Sequence, residues 1–209
     1  MSDSRTPPRC VWPGLDPLML AYHDAEWGEP VHDDRKHFEF LVLDAFQAGL
    51  SWAIIMKKRE GFRRALDGFD PERVARFDKK RIAQLLKDEG IIRNRQKIAA
   101  AVSNARAFLE IQEAVGSFDR YIWQFTGWRT RHNAWGALKK IPAKTKESDR
   151  MSEALQSHGF KFVGSTICYA YMQAAGMVND HLVGCYRYRE LYRAGGAPRG
   201  SASGRSATT

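Results

Sequence analysis

The stretch from residue 159 to residue 176 reads GFKFVGSTICYAYMQAAG, and it indicates two helices joined by a hairpin. Gly159 stands where one helix should stop, and we expect a tight glycine turn at Val163-Gly164. A second helix should begin at Ser165 and Thr166. The free N–H groups at Gly164, Ser165 and Thr166 can bind a phosphate oxygen of DNA. Ordinary helix starts look similar, so both interpretations stay open here.

Hydrophobic residues elsewhere in the chain also recur with a helical period. One long helix is indicated by the spacing of Ile98, Ala101, Val102, Ala105 and Leu109 on a single face. Similar signals cover residues 36–48, 52–66, 71–87, 118–125 and 147–158, the last with Ser148 as its N-cap. No alternating strand pattern is convincing, and residues 126–146 lack a period. The sequence therefore predicts an all-α bundle built around a helix-hairpin-helix.

Length and charge limit the organisation and the partners of the chain. Its 209 residues are sufficient for one helical domain, which we assign to residues 10–188 in two lobes. We expect residues 1–9 to be disordered and residues 189–209 to form a mostly disordered basic tail. The net charge of +9 fits a polyanionic partner such as DNA, although solubility alone is the simpler explanation.

The cysteines indicate a reducing compartment. Cys10, Cys168 and Cys185 form no even-numbered disulfide framework. Neither a secretory signal pattern nor an apolar stretch of membrane-spanning length accompanies them. We therefore expect a cytoplasmic monomer with no membrane partner.

The block LVLDAFQAGLSWAIIMKKREGF, residues 41–62, contains an interrupted apolar helix. Gly49 breaks it and leaves Gln47, Leu50 and Trp52 near one turn. An enzyme that acts on a base of duplex DNA needs an apolar wedge and aromatic walls for the extruded base. Leu50 suits the wedge and Trp52 a wall, but for this tripeptide taken alone core packing is the favoured explanation.

A basic segment, GIIRNRQKIAAAVSNARAF, covers residues 90–108. Arg93, Arg95 and Lys97 crowd the start of its helix, where the helix dipole favours acidic residues instead. This arrangement indicates a track for phosphates.

Cysteine and histidine occur at both ends of the chain. His181 and Cys185 have the i, i+4 spacing that puts both on one helical face, while Cys10 and His23 lie near the other end. Two Cys and two His suit a closed, structural zinc site. Unrelated core cysteines and histidines would also account for these positions, and the spacing matches no standard zinc finger.

Seven blocks together resemble the DNA-3-methyladenine glycosylase I family in order and spacing, from about Cys10 to Tyr186. They are CVW, AYHDAEWGEP, FEFLVLDAFQAGLSW, KKRE, GIIRNRQKI, GFKFVGSTICY and VNDHLVGC. The resemblance implies a helix-hairpin-helix glycosylase that releases 3-methyladenine from alkylated double-stranded DNA by hydrolysis, without lyase chemistry. It also implies one structural zinc, bound by Cys10, His23, His181 and Cys185.

The same resemblance implies a base pocket with Asp44 as its carboxylate and Leu50 as the intercalating residue. The pocket walls would be Trp12, Tyr22, Trp27 and Trp52. The family run resembles LEGxQAGLSW, whereas this chain has Asp44, Ala45 and Phe46, which puts its lesion specificity in question. Two further alternatives are a DNA-binding module without catalysis and a zinc hydrolase with a metal-bound water.

Overall fold

The computed structural model describes residues 7–196, which form a mostly helical protein. Its helices are α1 (Pro17–Ala25), α2 (Asp34–Gln47), α3 (Trp52–Ala65), α4 (Pro71–Ala75), α5 (Lys79–Leu85), α6 (Arg95–Val115), α7 (Phe118–Trp123), α8 (Lys146–Ser157), α9 (Ser165–Ala174) and α10 (Tyr186–Gly196). Short 3-10 turns occupy Asp67–Phe69, Gln124–Thr126 and Leu138–Lys140. The predicted helical class is confirmed.

One short pair of strands was not predicted. Strands β1 (Arg131–His132) and β2 (Val178–Asn179) pair in parallel, with Arg131 opposite Val178. Each strand has two residues, which is too short for an alternating hydrophobic pattern to be visible. The pair ties the connection after α7 to the segment after α9.

Polar N-cap side chains set where several helices begin, and the hydrophobic periodicity did not reveal these caps. The predicted helix over residues 71–87 is two helices, because the side chain of Asp78 accepts a hydrogen bond from Arg81 N and starts α5 anew. The N-cap of helix α8 is Thr145 and not Ser148. Ser148 is the third helical residue, and its hydroxyl accepts a hydrogen bond from Thr145 N at 2.9 Å.

Helix α2 lies at the centre of the bundle. All ten residues from His37 to Phe46 are buried, and α2 contacts α3, α6, α7 and α9. The long helix α6 packs against it through residues that include Phe108, which contacts Phe38 with ring centroids 5.4 Å apart. Any polar side chain on this part of α2 is therefore removed from bulk water.

The two ends of the described chain are more ordered than predicted. Pro8 O accepts a hydrogen bond from Tyr186 N, and Arg9 forms an ion pair with Asp24 at 2.7 Å. Helix α10 extends to Gly196, so the predicted tail from residue 189 begins as helix. Residues 1–6 and 197–209 lie outside the described part. None of the helices between residues 7 and 196 combines the length and hydrophobicity needed to span a bilayer.

Candidate functional site

A cavity of about 220 Å³, here called the aromatic pocket, opens beside the C-terminal end of α2. The four predicted aromatic walls line it together with Asp44 and Gln47. The residues that line it are Trp12, Tyr22, Trp27, Asp44, Gln47, Trp52, Leu138, Ile141, Ala170, Gln173 and Ala174. The last five were missed from the sequence. Ala170, Gln173 and Ala174 have the i, i+3, i+4 spacing of one face of α9, which is a signal that could have identified them.

Trp12 contacts Tyr22 and Trp27 edge to face, and the rings of Tyr22 and Trp52 are tilted by 50°. Trp12 lies 5.0 Å from Trp27 and 6.3 Å from Tyr22, and Tyr22 lies 5.5 Å from Trp52, between ring centroids. The indole Nε1 atoms of Trp12 and Trp52 are buried, with no hydrogen-bond partner among the described residues. Buried donors of this kind usually have partners, so two hydrogen-bond donors are available to a bound molecule.

Asp44 is the acidic residue of the aromatic pocket. It is 2% exposed, and its Oδ2 atom is buried without a hydrogen-bond partner in the described chain. Burial raises the pKa of Asp44 well above its usual range, because the ionised form loses its hydration. Burial and then the charge of Asp44 also raise the pKa values of Tyr22 and Tyr171. This carboxyl group reduces stability unless a ligand pairs with it.

The turn between α2 and α3 presents Leu50 at the surface beside the pocket. Leu50 N donates to Gln47 O at 2.6 Å, and Gly49 between them has a φ of +81°. The side chain of Leu50 is 37% exposed, although leucine is usually buried. Ser51 then caps α3 by accepting a hydrogen bond from Ile54 N. An apolar side chain therefore stands at an exposed tip next to Gln47.

Lys97 does not belong to a phosphate track, and that part of the prediction is wrong. It is buried, and its ammonium group donates to Phe46 O at 2.8 Å and to Ala48 O at 2.6 Å. These carbonyls lie at the end of α2, where a positive charge is favourable. Burial nevertheless lowers the pKa of Lys97. Lys97 thus holds the base of the turn that carries Leu50.

The hairpin between α8 and α9 is present, but its glycine turn differs from the prediction. The left-handed residues are Gly159 (φ +87°) and Phe162 (φ +57°), whereas Gly164 has an extended backbone with φ −63° and ψ 159°. Gly164 is the exposed N-cap of α9 and makes no side-chain cap. Nothing lies within 4 Å of the position of a Cβ atom on it. The open start of α9 continues through half-buried Ser165 and exposed Thr166.

Cys10, His23, His181 and Cys185 converge in a buried Cys/His cluster, with ligand atoms within 4.8 Å of one another. The distance from His181 Nδ1 to His23 Nε2 is 3.2 Å, and the sulfur–nitrogen distances are 3.5–3.7 Å. Tetrahedral zinc has Zn–N bonds of about 2.0 Å and Zn–S bonds of about 2.3 Å. These bonds place two ligand nitrogens roughly 3.3 Å apart and a nitrogen and a sulfur roughly 3.6 Å apart. Hydrogen bonds from Cys10 and then the two histidines lower the pKa of Cys185. The cluster could therefore hold a metal ion.

Neighbouring groups fix both histidines of the cluster. His23 Nδ1 lies 2.8 Å from Asp24 Oδ1, and His181 Nε2 lies 2.9 Å from Trp27 O. Contacts of this kind are typical of metal-binding histidines, because they set the tautomer and the ring orientation. Trp27 also lines the aromatic pocket, so the cluster and the pocket share one segment.

Comparison with known proteins finds extensive similarity. A family model described as methyladenine glycosylase matches residues 12–188. DNA-3-methyladenine glycosylase 1 of Escherichia coli K12 is 47% identical over 180 residues, covering 86% of this chain and 96% of the relative. A crystal structure of 3-methyladenine DNA glycosylase I has a TM-score of 0.84 at 47% identity, covering 86% and 98%. A Staphylococcus aureus structure, concerned with 3-methyladenine recognition, has a TM-score of 0.83 at 32% identity, covering 85% and 95%.

Replacement of Asp44 by Asn should stabilise the folded protein at neutral pH. Burial raises the pKa of Asp44 in the folded state. Below pH about 4 the Asp44 carboxyl is protonated in both the folded and the unfolded protein, so its ionisation does not affect the free energy of unfolding. Above that pH the carboxyl ionises in the unfolded chain but not in the folded protein, so the free energy of unfolding falls. The advantage of Asp44→Asn should therefore grow from pH 4 towards pH 8.

Urea denaturation at several pH values measures this trend. Glu110→Gln, which removes an exposed carboxylate on α6, is the control and should show no comparable growth. An advantage of Asp44→Asn that stays constant over this range would contradict the burial argument.

Proposed function

Since the chain belongs to the methyladenine glycosylase family, we propose that it hydrolyses the N-glycosidic bond of 3-methyladenine in alkylated double-stranded DNA. One observation carries the proposal: a pocket walled by four aromatic residues contains a buried carboxyl group that has no hydrogen-bond partner for one oxygen among residues 7–196. The range that matches the family includes every residue of that pocket. A relative of known structure is described by its recognition of the same base.

The chemistry of the substrate suits this pocket. Methylation at N3 leaves adenine with a positive charge, so the base leaves readily and needs no strong acid catalyst. Aromatic faces attract a cation, and a desolvated carboxylate accepts a strong hydrogen bond from it. We assign these roles to Trp12, Tyr22, Trp27 and Trp52, and to Asp44. The base's charge would also favour ionisation of Asp44, which burial otherwise opposes.

Water is the proposed nucleophile at the oxocarbenium-like sugar. No lysine is present among the residues lining the aromatic pocket in the described chain, so no side-chain amine is available there for a Schiff base. This composition supports hydrolysis without lyase chemistry. Catalysis would come from binding the departing cation more strongly than the neutral, stacked base.

The test is release of 3-methyladenine from alkylated duplex DNA, with the free base identified by chromatography. We expect release by the wild-type protein and a reduction of roughly 30- to 1,000-fold for Asp44→Asn, from the loss of about 2–4 kcal/mol of charge-assisted hydrogen bonding. Wild-type release by Asp44→Asn would exclude Asp44 from catalysis. Absence of release by the wild-type protein would refute the function.

Asp44→Glu then addresses the departure from the family sequence. If the chain simply tolerates the shorter acid, glutamate should preserve or increase release of 3-methyladenine. If Phe46 and its neighbours have reshaped the pocket around Asp44, the longer side chain should lower release through crowding.

Leu50 is the proposed wedge that fills the gap left by the extruded base, with Gln47 beside it. Its exposure at the tip of a tight turn supports this role. Lys97 supports it indirectly, because two short hydrogen bonds hold the end of α2 just before the turn. A wedge must resist displacement by the duplex, and a clamped turn can do so.

The open start of α9 is the proposed phosphate site, formed by N–H groups of Gly164, Ser165 and Thr166. The absence of a side-chain cap and the open space at Gly164 support it, since a phosphate can approach the backbone. Asn104 steadies the hairpin by hydrogen bonds to both N and O of Lys161.

Gly164→Asp and Gly164→Asn separate stability from DNA binding at this site. Both side chains are good N-caps and should maintain or raise thermal stability by a few tenths of a kcal/mol. Only Asp puts a negative charge where the phosphate would lie, so it should weaken duplex binding more than Asn. Thermal unfolding and duplex titrations measure the two effects. Equal affinities of the two variants would argue against a phosphate at α9.

Zinc is the proposed metal of the Cys/His cluster, in a structural role. The tetrahedral spacing of four buried ligand atoms supports zinc, and four protein ligands leave no position for a catalytic water. Cys10, His23, His181 and Cys185 would hold the metal and so join the two ends of the domain. The alternative of a zinc hydrolase is disfavoured, because such an enzyme needs an open position on the metal for water.

Elemental analysis should find one zinc per chain in the purified protein. Cys185→Ser should lower the zinc content and the unfolding temperature, because it removes one of the four ligands. Cys168→Ser is the matched control. Cys168 is equally buried but donates to Val163 O in the hairpin, so its loss should leave the zinc content unchanged. A wild-type protein without stoichiometric metal would refute the assignment.

A further inference from the structure

The 3-10 turn Leu138–Lys140 borders the aromatic pocket and has no role in the function proposed above. Leu138 lines the cavity and is 42% exposed, and Ile141 lines it just after the turn. The proposed wedge turn contributes Gln47 to the same cavity. Leu138 and Ile141 together give this edge of the pocket an apolar surface that a bound molecule could cover.

The turn carries two adjacent positive charges. Lys139 and Lys140 are exposed, and neither forms an ion pair within 4 Å with residues 7–193. Many other basic residues of the chain are compensated, as Arg59 is by Glu26 and Glu39. Two uncompensated ammonium groups at the edge of a base pocket are complementary to a nucleic acid backbone.

Buried hydrogen bonds hold the segment that leads into the turn. Asp180, 1% exposed, accepts from Asn133 Nδ2 and Trp135 Nε1 on one oxygen, each at 2.8 Å. Its other oxygen accepts from Tyr169 and Gln173 of α9 at 2.7 and 2.8 Å. This network fixes the approach to the turn against the helix that lines the pocket, so little ordering would be required on binding.

The same connection continues towards the proposed phosphate site. Lys144 Nζ lies 3.2 Å from Asp149 Oδ1. Hydrogen bonds from Ser165, at the start of α9, and from Lys144 lower the pKa of Asp149. Residues 138–149 thus run from the mouth of the pocket to the hairpin.

We propose that the Leu138–Lys140 turn is a further DNA-contacting element, which holds the strand that carries the extruded base. Leu138 packs against the sugar at the mouth of the pocket, and Lys139 and Lys140 contact phosphates of that strand. The proposal rests on the proposed function, because only a nucleotide turned out of the duplex brings its sugar to this edge.

The test compares the variant Lys139→Gln/Lys140→Gln with Lys79→Gln/Lys80→Gln. The control removes the same charge from two adjacent exposed lysines on α5, an element that contributes no residue to the pocket. Affinity for a duplex with one abasic-site analogue is measured across salt concentrations. Each lost phosphate contact should lower the log–log slope by about 0.9, so the Lys139/Lys140 variant should lose roughly one to two units and the control none.

Lys139→Arg/Lys140→Arg should retain the wild-type slope, since the charges remain. Binding of free 3-methyladenine, followed by tryptophan fluorescence, should be the same in every variant because the base lacks phosphates. An unchanged slope in the glutamine variant, or an equal loss in the control, would overturn the proposal. Weaker binding of the free base would also overturn it. Release of 3-methyladenine by the wild-type protein tests the proposed function separately, because the slopes are measured on DNA without a base to release.

Discussion

The two ends of the chain meet at the Cys/His cluster, and the position of the aromatic pocket depends on that meeting. His23 and His181 are 158 residues apart in sequence, yet their nitrogen atoms lie 3.2 Å apart. Trp12 and Tyr22 stand between Cys10 and His23, so both pocket walls lie on the segment that the cluster fixes. The entropy cost of closing a loop grows only slowly with the length of the loop. Joining segments this far apart in sequence therefore costs little more free energy than joining near neighbours.

Buried polar groups are treated differently inside and outside the aromatic pocket. Asp180 has hydrogen-bond partners for both oxygens, which is normal for a buried carboxylate. Within the pocket, Asp44 Oδ2 and the indole nitrogens of Trp12 and Trp52 have none in the described chain. The contrast between these two carboxyl groups indicates that folding stability is lost at the pocket, as expected where a ligand supplies the missing partners.

Patterns that depend on several neighbouring residues could be predicted from the sequence, and single contacts between distant segments could not. The period of 3.6 residues identified α6 and the arrangement of α8 and α9. It did not reveal that Lys97 turns inward to the carbonyls of α2, since a lysine at a helix start is equally consistent with an exposed position. The lining by Leu138 and Ile141 also escaped prediction, because residues 126–146 have no period and depend on distant contacts. The monomeric state and the cytoplasmic location stay predictions.

The meeting of the chain ends has a consequence for synthesis on the ribosome. Translation produces Trp12, Tyr22 and Trp27 long before His181 and Cys185, the cluster residues that anchor their segment. The growing chain must therefore carry three large aromatic side chains without their final partners until His181 and Cys185 have been made. Such a nascent chain is a natural substrate for chaperones that bind exposed aromatic segments. A chain whose synthesis stops before His181 would lack two of the four cluster residues that hold this aromatic segment in place.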